Sequence, residues 1–378
     1  MQLSISKNMK KKKKVLLAGG GSGGHVFPLL NVWEYMKNDF EVQYVGEKNG
    51  KEQVWVEERG INYQGISAGK LRRYFSIQNF IDIFKVPVGI YQSWQILRDF
   101  KPDLVFAKGG NVSFPVVIAA WWLKIPVLTH ESDLVMGLAN RMTASIADKI
   151  AVSFPVGAYG SRYSEKMIYT GLPVRVWTKK SGNEDEIVKS FGLNKDLPTV
   201  FVTGGSQGAM AVNSYILDHL DKILDYANVI HVSGETDFVR VREKTKDIIG
   251  TGVYKLYSFL TDNFNKAMYI SEIVVSRASA TTLAEISSMA KPSILIPLPI
   301  SASNHQYFNA KRYEDIGASV MVEEREFKQI NLAVLLQSIL EDEEKYHEMS
   351  SSASVAMQTE GVSQIIIDLI NNMIEEKR

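Results

Sequence analysis

Short apolar runs alternate with amphipathic stretches along most of this chain, and the alternation predicts repeated strand–helix units. Each run is followed by a loop and then by a helical pattern, which is typical of parallel α/β sheets. The runs form two series. The predicted buried strands are Val15–Leu17, Val42–Val45, Leu104–Phe106, Val127–Thr129 and Lys149–Val152 in the first series, and Val200–Val202, Val229–Val232, Ile273–Val275 and Ile294–Ile296 in the second.

The two series begin with similar sequences, VLLAGGGSGGHV from Val15 and TVFVTGGSQGAM from Thr199. Each contains a strand, a glycine turn with a serine, and the start of a helix. The polar stretch Thr178–Glu186 lies between the series and predicts a linker or surface loop. The predicted fold class is therefore α/β, with two Rossmann-like domains that face each other.

The last segment, VSQIIIDLINNMIEEKR, predicts one amphipathic terminal helix. Its apolar residues recur at helical spacing, so they should form a single packed face. We expect Ile365, Ile366, Leu369 and Ile370 to cluster there. The pattern does not decide which domain this helix packs against.

Composition narrows the functional classes. A chain of 378 residues is long enough for two domains, and its 45% hydrophobic and 22% charged residues are typical of a globular protein. The formal net charge of +1 gives no reason to expect nucleic acid as a partner. Because the chain has no cysteine, disulfides, thiolate metal sites and cysteine nucleophiles are excluded.

The N-terminal segment contains a basic run, Lys10–Lys14, but neither a signal peptide nor a membrane span is predicted. A solvated arm is one interpretation of the run, and attraction to an anionic membrane surface is the other. Met9 is an alternative start of the chain.

The first glycine loop allows two interpretations. Gly19, Gly21 and Gly24 satisfy the G-x-G-x-x-G pattern, whose backbone amides approach a pyrophosphate, and Glu47 stands where a ribose-binding acid would lie. The pattern therefore allows an NAD-dependent oxidoreductase as one interpretation. A second glycine loop at Gly204–Gly208 and a histidine, His25, in the first turn of the following helix argue against it. A helix N-terminus disfavours the imidazolium, so a neutral His25 could accept a proton from a hydroxyl.

Several other motifs follow predicted strands, at the edge where open α/β sheets bind ligands. Each suits part of a sugar nucleotide, and together they favour a nucleotide-sugar cleft between two domains. They are an arginine suited to phosphate (Arg175), hydroxyls and amides at Ser279, Thr281 and Thr282, a carboxylate for ribose hydroxyls (Glu285), and the polar trio Asn304, His305 and Gln306 for sugar hydroxyls.

The ordered motifs AGGGSGGHVFP, KGGNVSFP, HESD with GLANR, TGLPVR, TGGSQGA, SRASATTLAEI and HQYFNA resemble the MurG family, the N-acetylglucosaminyltransferases of peptidoglycan synthesis. The resemblance extends from about Val15 to about Ser319. It implies a GT-B fold with an acceptor domain over 1–175, a UDP-sugar domain over 176–356, and a C-terminal helix within 357–378 that packs back on the first domain.

The resemblance also implies an activity. Such an enzyme moves N-acetylglucosamine from UDP-N-acetylglucosamine (UDP-GlcNAc) to the C4 hydroxyl of the muramoyl sugar of undecaprenyl-linked lipid I, with inversion, and gives lipid II and UDP. No cofactor is expected. Since the chain has no Asp-x-Asp motif, we expect no protein-held metal on the diphosphate. The rival functions are a GT-B transferase with another lipid or small acceptor, the NAD-dependent oxidoreductase, and a non-catalytic membrane scaffold.

Carried over motif by motif, the resemblance assigns catalysis to His25 as the general base and makes Glu131 a second base candidate or an orienting partner. The implied binding residues are Ser22, Gly23 and Gly24 for the acceptor diphosphate, Asp133 and Gln306 for the donor sugar, Arg175 and Ser206 for the donor phosphates, Leu260 for the uracil, and Ala280, Thr281, Thr282, Leu283, Ala284 and Glu285 for the α-phosphate and ribose.

Three positions depart from common versions of these motifs. Asp133 replaces the asparagine of HEQN, Leu172 replaces the asparagine of TGNPVR, and Ser279 replaces the last glycine of SRAG. None of these changes removes a residue assigned to the chemistry, so we expect an active enzyme.

A lipid acceptor requires contact with the bilayer. The basic and aromatic cluster Lys70–Phe75 and the pair Trp121 and Trp122 predict peripheral binding to the anionic inner face of the cell membrane, on the cytoplasmic side. Cell-wall synthesis proteins are candidate partners there. The alternative for the neighbouring residues Ile77, Phe80, Ile81 and Phe84 is that their helical spacing places them in the core.

Overall fold

The computed structural model describes residues 12–69, 77–174, 183–205, 208–260 and 263–377, and it describes 77–83 by their backbone alone. Arg175, Ser206, the cluster Lys70–Phe75 and part of the predicted linker lie outside the described residues. The described chain forms two separate parallel sheets, a first lobe and a second lobe.

The first lobe is built on a seven-stranded sheet. Its strands are β1 (Lys13–Ala18), β2 (Phe40–Glu47), β3 (Asn62–Ile66), β4 (Leu104–Ala107), β5 (Val127–Glu131), β6 (Lys149–Val152) and β7 (Met167–Tyr169). They lie in the order β3-β2-β1-β4-β5-β6-β7, and all neighbours are parallel. The order reverses between β1 and β4, and the crevice at such a reversal is where open sheets bind ligands.

Helices cover both faces of this sheet. They are α1 (Gly23–Met36), α2 (Glu52–Glu57), α3 (Ile77–Phe100), α4 (Gly110–Trp122) and α5 (Leu138–Thr143), with short 3₁₀ helices at Val156–Tyr159 and Ser164–Lys166. Alternate residues of β1 separate the two packing layers. Val15 and Leu17 pack with α1, whereas Leu16 and Ala18 pack with α3 and α4. The two faces are therefore distinct surfaces of the lobe.

The second lobe is built on a six-stranded parallel sheet in the order β10-β9-β8-β11-β12-β13. Its strands are β8 (Thr199–Thr203), β9 (Asn228–Val232), β10 (Tyr254–Tyr257), β11 (Ile273–Ser276), β12 (Ser293–Leu295) and β13 (Ser319–Met321). The reversal here lies between β8 and β11. The predicted α/β class with two Rossmann-like lobes is confirmed, and each predicted run forms or overlaps a strand.

Nine helices of the described chain surround the second sheet: α6 (Glu184–Phe191), α7 (Met210–Leu217), α8 (Leu220–Leu224), α9 (Phe238–Lys244), α10 (Phe264–Tyr269), α11 (Ala280–Ser288), α12 (His305–Asp315), α13 (Leu332–Leu340) and α14 (Glu343–Ala356). Short 3₁₀ helices lie at Ala302–Asn304 and Glu324–Glu326. Helices α11 and α12 begin at the carboxyl edge of the sheet, so their first turns face the first lobe.

The terminal helix α15 (Val362–Glu376) packs on the first lobe. Its buried face joins α1 and the core under β1, and Lys13 Nζ donates to Asn371 Oδ1 at 2.7 Å. The expected apolar cluster is partly wrong, because Ile365 is 38% exposed. The buried residues instead follow the stripe Val362, Ile366, Ile367, Ile370, Met373 and Ile374.

The two lobes share one apolar core at the base of the space between them. Phe154 and Leu172 from the first lobe lie in one cluster with Leu260 and Leu283 from the second. Leu172, which stands in place of an asparagine in the TGNPVR version of its motif, is fully buried there. Its backbone N–H donates to the carbonyl of Gln358, which precedes α15, at 3.2 Å. The lobes are thus in direct contact beside the segment that leads back to the first lobe before α15.

A candidate active site between the lobes

The imidazole of His25 has a defined tautomer. Nδ1 lies 3.1 Å from the carbonyl oxygen of Gly20. Since a carbonyl only accepts hydrogen bonds, Nδ1 carries the hydrogen and Nε2 keeps its lone pair. Ser22 Oγ also lies 3.1 Å from Nδ1. No described residue forms a hydrogen bond with Nε2, so this nitrogen can accept a proton.

The same imidazole is neutral. Burial, followed by the positive charge of Lys108, lowers the pKa of His25 to about 4, against the opposing effects of the Gly20 bond and the Asp133 carboxylate. His305 of the second lobe also lies close enough to His25 to lower this pKa. The sequence predicted a neutral ring from the helix terminus, but burial is the larger cause in the structure. The ring is therefore free to accept a proton at neutral pH.

Two glycine loops meet behind the imidazole. Gly110, at the start of α4, has φ of +78°, and a Cβ there would lie 2.7 Å from Gly20 O and 3.0 Å from His25 Nδ1. A side chain at this position would therefore press on both ends of the hydrogen bond that orients the ring. Glycine at 110 is required for the close approach of the loop after β4 to the loop after β1.

Glu131, the second base candidate, is held within its own loop. Its Oε1 accepts from the backbone N–H of Asp133 at 3.0 Å, and its Oε2 accepts from Gly137 N–H at 2.8 Å and from Asn140 Nδ2 at 2.9 Å. The side chain is only 4% exposed. Burial and the neighbouring Asp133 raise the pKa of Glu131. These contacts hold the loop from Glu131 to Asn140 in place, and none of them is made with an imidazole.

Asp133 joins the two lobes through Asn309, a residue that sequence analysis did not single out. Asn309 Nδ2 donates to Asp133 Oδ1 at 2.9 Å and to the carbonyl of Ala278 at 3.1 Å, and its Oδ1 accepts from Leu134 N–H at 3.0 Å. Asn309 is fully buried. Its place in the HQYFNA motif, one helical turn after Gln306, is the signal that could have identified it.

The first turn of α11 is capped from within the chain. Ser279 Oγ accepts from Thr282 N–H at 3.3 Å and lies 2.9 Å from Thr282 Oγ1. The expectation of a free hydroxyl at Ser279 is therefore wrong, because this side chain serves as the N-cap. Leu283 and Ala284 are fully buried in the core, so their side chains face away from any ligand. The amides of the first turn remain the groups suited to an anion.

Glu285, farther along α11, is an isolated carboxyl group. Burial raises its pKa to about 8. Within the described ranges, no hydrogen bond to its carboxylate oxygens is formed. A half-buried carboxyl group without a partner is typical of a ligand site, because a bound hydroxyl can supply the missing donor.

Gln306 is the second residue of α12, which follows a strained turn. Ser303 and Asn304 have φ of 50° and 56°, in the left-handed region that few residues adopt. Gln306 Oε1 accepts from Leu298 N–H at 3.0 Å, which fixes the amide and leaves Nε2 for another partner. The strained turn thus aims the start of α12, with His305 and Gln306, at the first lobe.

The remaining predicted residues divide into three groups. Ser22, Gly23 and Gly24 lie at the start of α1 beside His25. Leu260 is 8% exposed and packs with Ala280 and Leu283 of α11 in the second lobe. Arg175 and Ser206 lie outside the described residues, and no geometry is assigned to them.

Lys108 is a second residue that sequence analysis overlooked. It follows β4 directly, is 1% exposed, and donates from Nζ to Ser132 Oγ. A lysine placed between a buried strand and two glycines, in KGGNVSFP, is the available signal. In the described part of the chain, no group of three His, Cys, Asp or Glu residues is arranged to hold a metal ion.

Comparison with known proteins adds independent findings. Residues 15–152 match the glycosyltransferase family 28 N-terminal domain, and residues 199–366 match the glycosyltransferase family 28 C-terminal domain. A relative from Clostridium tetani is 37% identical over 351 residues, covering 92% of this chain and 95% of the relative. It is named UDP-N-acetylglucosamine–N-acetylmuramyl-(pentapeptide) pyrophosphoryl-undecaprenol N-acetylglucosamine transferase.

Solved structures show the same fold. MurG from Acinetobacter baumannii has a TM-score of 0.73 at 24% identity, covering 95% of this chain and 99% of that one. The UDP-GlcNAc 2-epimerase from Neisseria meningitidis, solved with UDP-GlcNAc bound, has a TM-score of 0.69 at 18% identity, covering 95% and 100%.

Proposed function

Because this chain belongs to the MurG family within glycosyltransferase family 28, we propose that its cleft makes lipid II. It transfers N-acetylglucosamine from UDP-GlcNAc to the C4 hydroxyl of the muramoyl sugar of lipid I, the pyrophosphoryl-undecaprenol acceptor, and releases UDP. The observation that carries the proposal is that the neutral His25 of one lobe lies close enough to His305 of the other, one residue before Gln306, for the two imidazoles to interact electrostatically. A proton acceptor and a sugar-binding amide are thereby brought to the same place.

The proposed reaction is one displacement with inversion. Nε2 of His25 takes the proton from the C4 hydroxyl of the acceptor. The oxygen of that hydroxyl bonds to C1 of N-acetylglucosamine, and the bond from C1 to the β-phosphate oxygen breaks. UDP leaves with that electron pair. The imidazolium that forms lies near the carboxylate of Asp133, whose charge favours it.

Donor binding is proposed for the second lobe. The first-turn amides of α11, with Arg175 and Ser206 from the sequence motifs, offset the charge that develops on the departing UDP. Glu285 accepts the ribose hydroxyls, Leu260 lies by the uracil, and Gln306 Nε2 donates to the sugar. On the first lobe, the start of α1 at Ser22–Gly24 receives the acceptor diphosphate.

The NAD-dependent oxidoreductase that the first glycine loop left open is not favoured. The family membership argues for transfer of a sugar rather than of a hydride.

The function is tested by UDP release. We expect the full chain to release UDP from UDP-GlcNAc when a short-chain lipid I analogue is present, and to release little without it. Glu285→Gln serves as the donor-side variant, since it keeps the shape of the side chain and replaces one oxygen that accepts from the ribose hydroxyls with an amide nitrogen that cannot accept. It should raise KM for UDP-GlcNAc about tenfold, the cost of losing a hydrogen bond. UDP release that does not depend on the acceptor would contradict the proposal.

Membrane docking is proposed for the face formed by α3, α4 and α5. Phe84 is 75% exposed, so its interpretation as a core residue is wrong, and the side chains of 77–83 lie outside the description. The exposed apolar residues of this face are Phe84, Val88, Tyr91, Trp121, Trp122, Leu138 and Met142. Lys124 and Arg141 are exposed among them. No described helix is long and apolar enough to cross a bilayer.

We expect Trp121→Ser/Trp122→Ser to reduce flotation with vesicles that contain phosphatidylglycerol, because the two indoles would otherwise enter the lipid interface. Tyr35→Ser is the matched control. Tyr35 is 65% exposed, as is Trp122, but it lies on α1, which covers the opposite face of the first sheet. Equal flotation of the parent chain with neutral and anionic vesicles would argue against docking at an anionic surface.

A further inference from the structure

Lys108 is a buried cation at the centre of the first-lobe site. Its backbone N–H donates to Ala18 O at 2.9 Å, which ties the loop after β4 to the end of β1. Its Nζ donates to Ser132 Oγ. Ser132 stands between Glu131 and Asp133 in the sequence, so the ammonium lies at the turn that carries both carboxylates.

The charges around this ammonium are unusual for a buried site. Glu131 and Asp133 both favour its charged form, whereas burial lowers the pKa of Lys108 to about 8. The positive charge in turn lowers the pKa of two neighbouring imidazoles, His25 and His130. Tyr159 borders the same carboxylates, and His305 faces His25 from the second lobe. Lys108 is 1% exposed and Glu131 is 4% exposed, whereas Asp133 is half-buried, and a buried charge left uncompensated is costly.

We propose that Lys108 is a positioning residue of the transfer reaction, whose ammonium balances the carboxylates of Glu131 and Asp133 and keeps a proton off His25. The proposal rests on the function given above and adds a residue to it. Because Lys108 is 1% exposed and donates to Ser132 Oγ, it acts through Ser132 and through its charge. It also explains why this chain accommodates an aspartate at 133, where the resembled motif has an asparagine.

Two consequences distinguish this role from simple packing. Without the ammonium, Glu131 and Asp133 face each other uncompensated, and the loop that Asn309 joins to the second lobe loses its support. Protonation of His25 also becomes easier, because a nearby positive charge is gone. Both consequences disappear when the negative charge of Asp133 is removed together with the positive charge of Lys108.

The test is a double-mutant cycle with Lys108→Met, Asp133→Asn and the double variant, measured as kcat and KM between pH 3 and pH 9, a range that includes the pKa of about 4 at His25. We expect Lys108→Met to lower kcat about tenfold and to move the acid limb of the profile to higher pH by about one unit. Asp133→Asn should move that limb to lower pH, because it removes a charge that favours the imidazolium. The double variant should recover most of the activity lost in Lys108→Met and return the limb toward the parent value.

Other measurements keep the proposal falsifiable. Lys108→Arg retains the positive charge, so the acid limb of its pH profile should lie at the same pH as in the parent chain. Thermal melts establish whether each variant is folded. A ring-proton NMR titration of His25, assigned with His25→Gln, reports the imidazole without any turnover. It would show the shift in Lys108→Met even if the chain lacked the transferase activity. Additive effects in the cycle, or the same shift in Lys108→Arg as in Lys108→Met, would overturn the proposal.

Discussion

His25→Ala is expected to lower kcat by about 10² or more, the usual contribution of a positioned general base. The affinity for UDP-GlcNAc should remain within about twofold of the parent, since the proposed donor contacts lie on the second lobe. The acceptor hydroxyl then has no Nε2 of His25 to receive its proton. Turnover is measured by UDP release with a lipid I analogue, and donor binding by calorimetry.

His347→Ala is the matched control for this experiment. Its side chain is 71% exposed on α14, and its one ion-pair neighbour among the described residues is Glu343 of the same helix, so its loss should leave both quantities unchanged. A His25→Ala variant with the turnover of the parent chain would remove the imidazole from the proposed mechanism. In that case Glu131 would be the remaining candidate.

The second large effect is expected from a single methyl group. Gly110→Ala should lower kcat by more than tenfold, because the added Cβ presses on the Gly20 carbonyl and on Nδ1 of His25 at once. The hydrogen bond that selects the tautomer would lengthen or break, and misplacement of a catalytic group by about 1 Å can cost about 10²-fold. The measurement is kcat at saturating donor, together with a thermal melt.

Gly60→Ala separates this effect from backbone strain. Gly60 has φ of +73°, nearly that of Gly110, but a Cβ there meets nothing within 4 Å. Both variants therefore carry the left-handed penalty of about 1–2 kcal/mol. We expect Gly60→Ala to melt earlier and to keep its kcat. If the two variants lost activity equally, the contact with the imidazole would not be the reason.

The sequence predicted the interiors of both sheets but not their edges. Four strands were not predicted, namely β3, β7, β10 and β13, and each is an edge strand. Interior parallel strands are covered on both faces and consist of unbroken apolar runs such as Val200–Val202. An edge strand has one neighbour and less cover, so its composition is mixed. NYQGI in β3 and YKLY in β10 have no apolar run that marks them.

The sequence likewise predicted only part of the candidate site. His25 was predicted because a glycine pattern places it at a fixed position in a helix. Lys108 and Asn309 were overlooked because their roles depend on residues distant in the sequence. Lys108 meets Ser132 across two strands, and Asn309 meets Asp133 across two lobes. Spacing along the chain carries no information about such contacts until the sheet order is known.

The chain passes between the lobes twice, once after Val174 and once before α15. The two passages touch where Leu172 donates to Gln358 and Gln358 donates to the hydroxyl of Tyr169. Two bodies joined at neighbouring points rotate most easily about the line through those points. Widening the cleft is therefore chiefly a hinge rotation, and it must break the bonds of Asn309 to Asp133 and Leu134. Each round of substrate entry and product exit would involve remaking these two bonds.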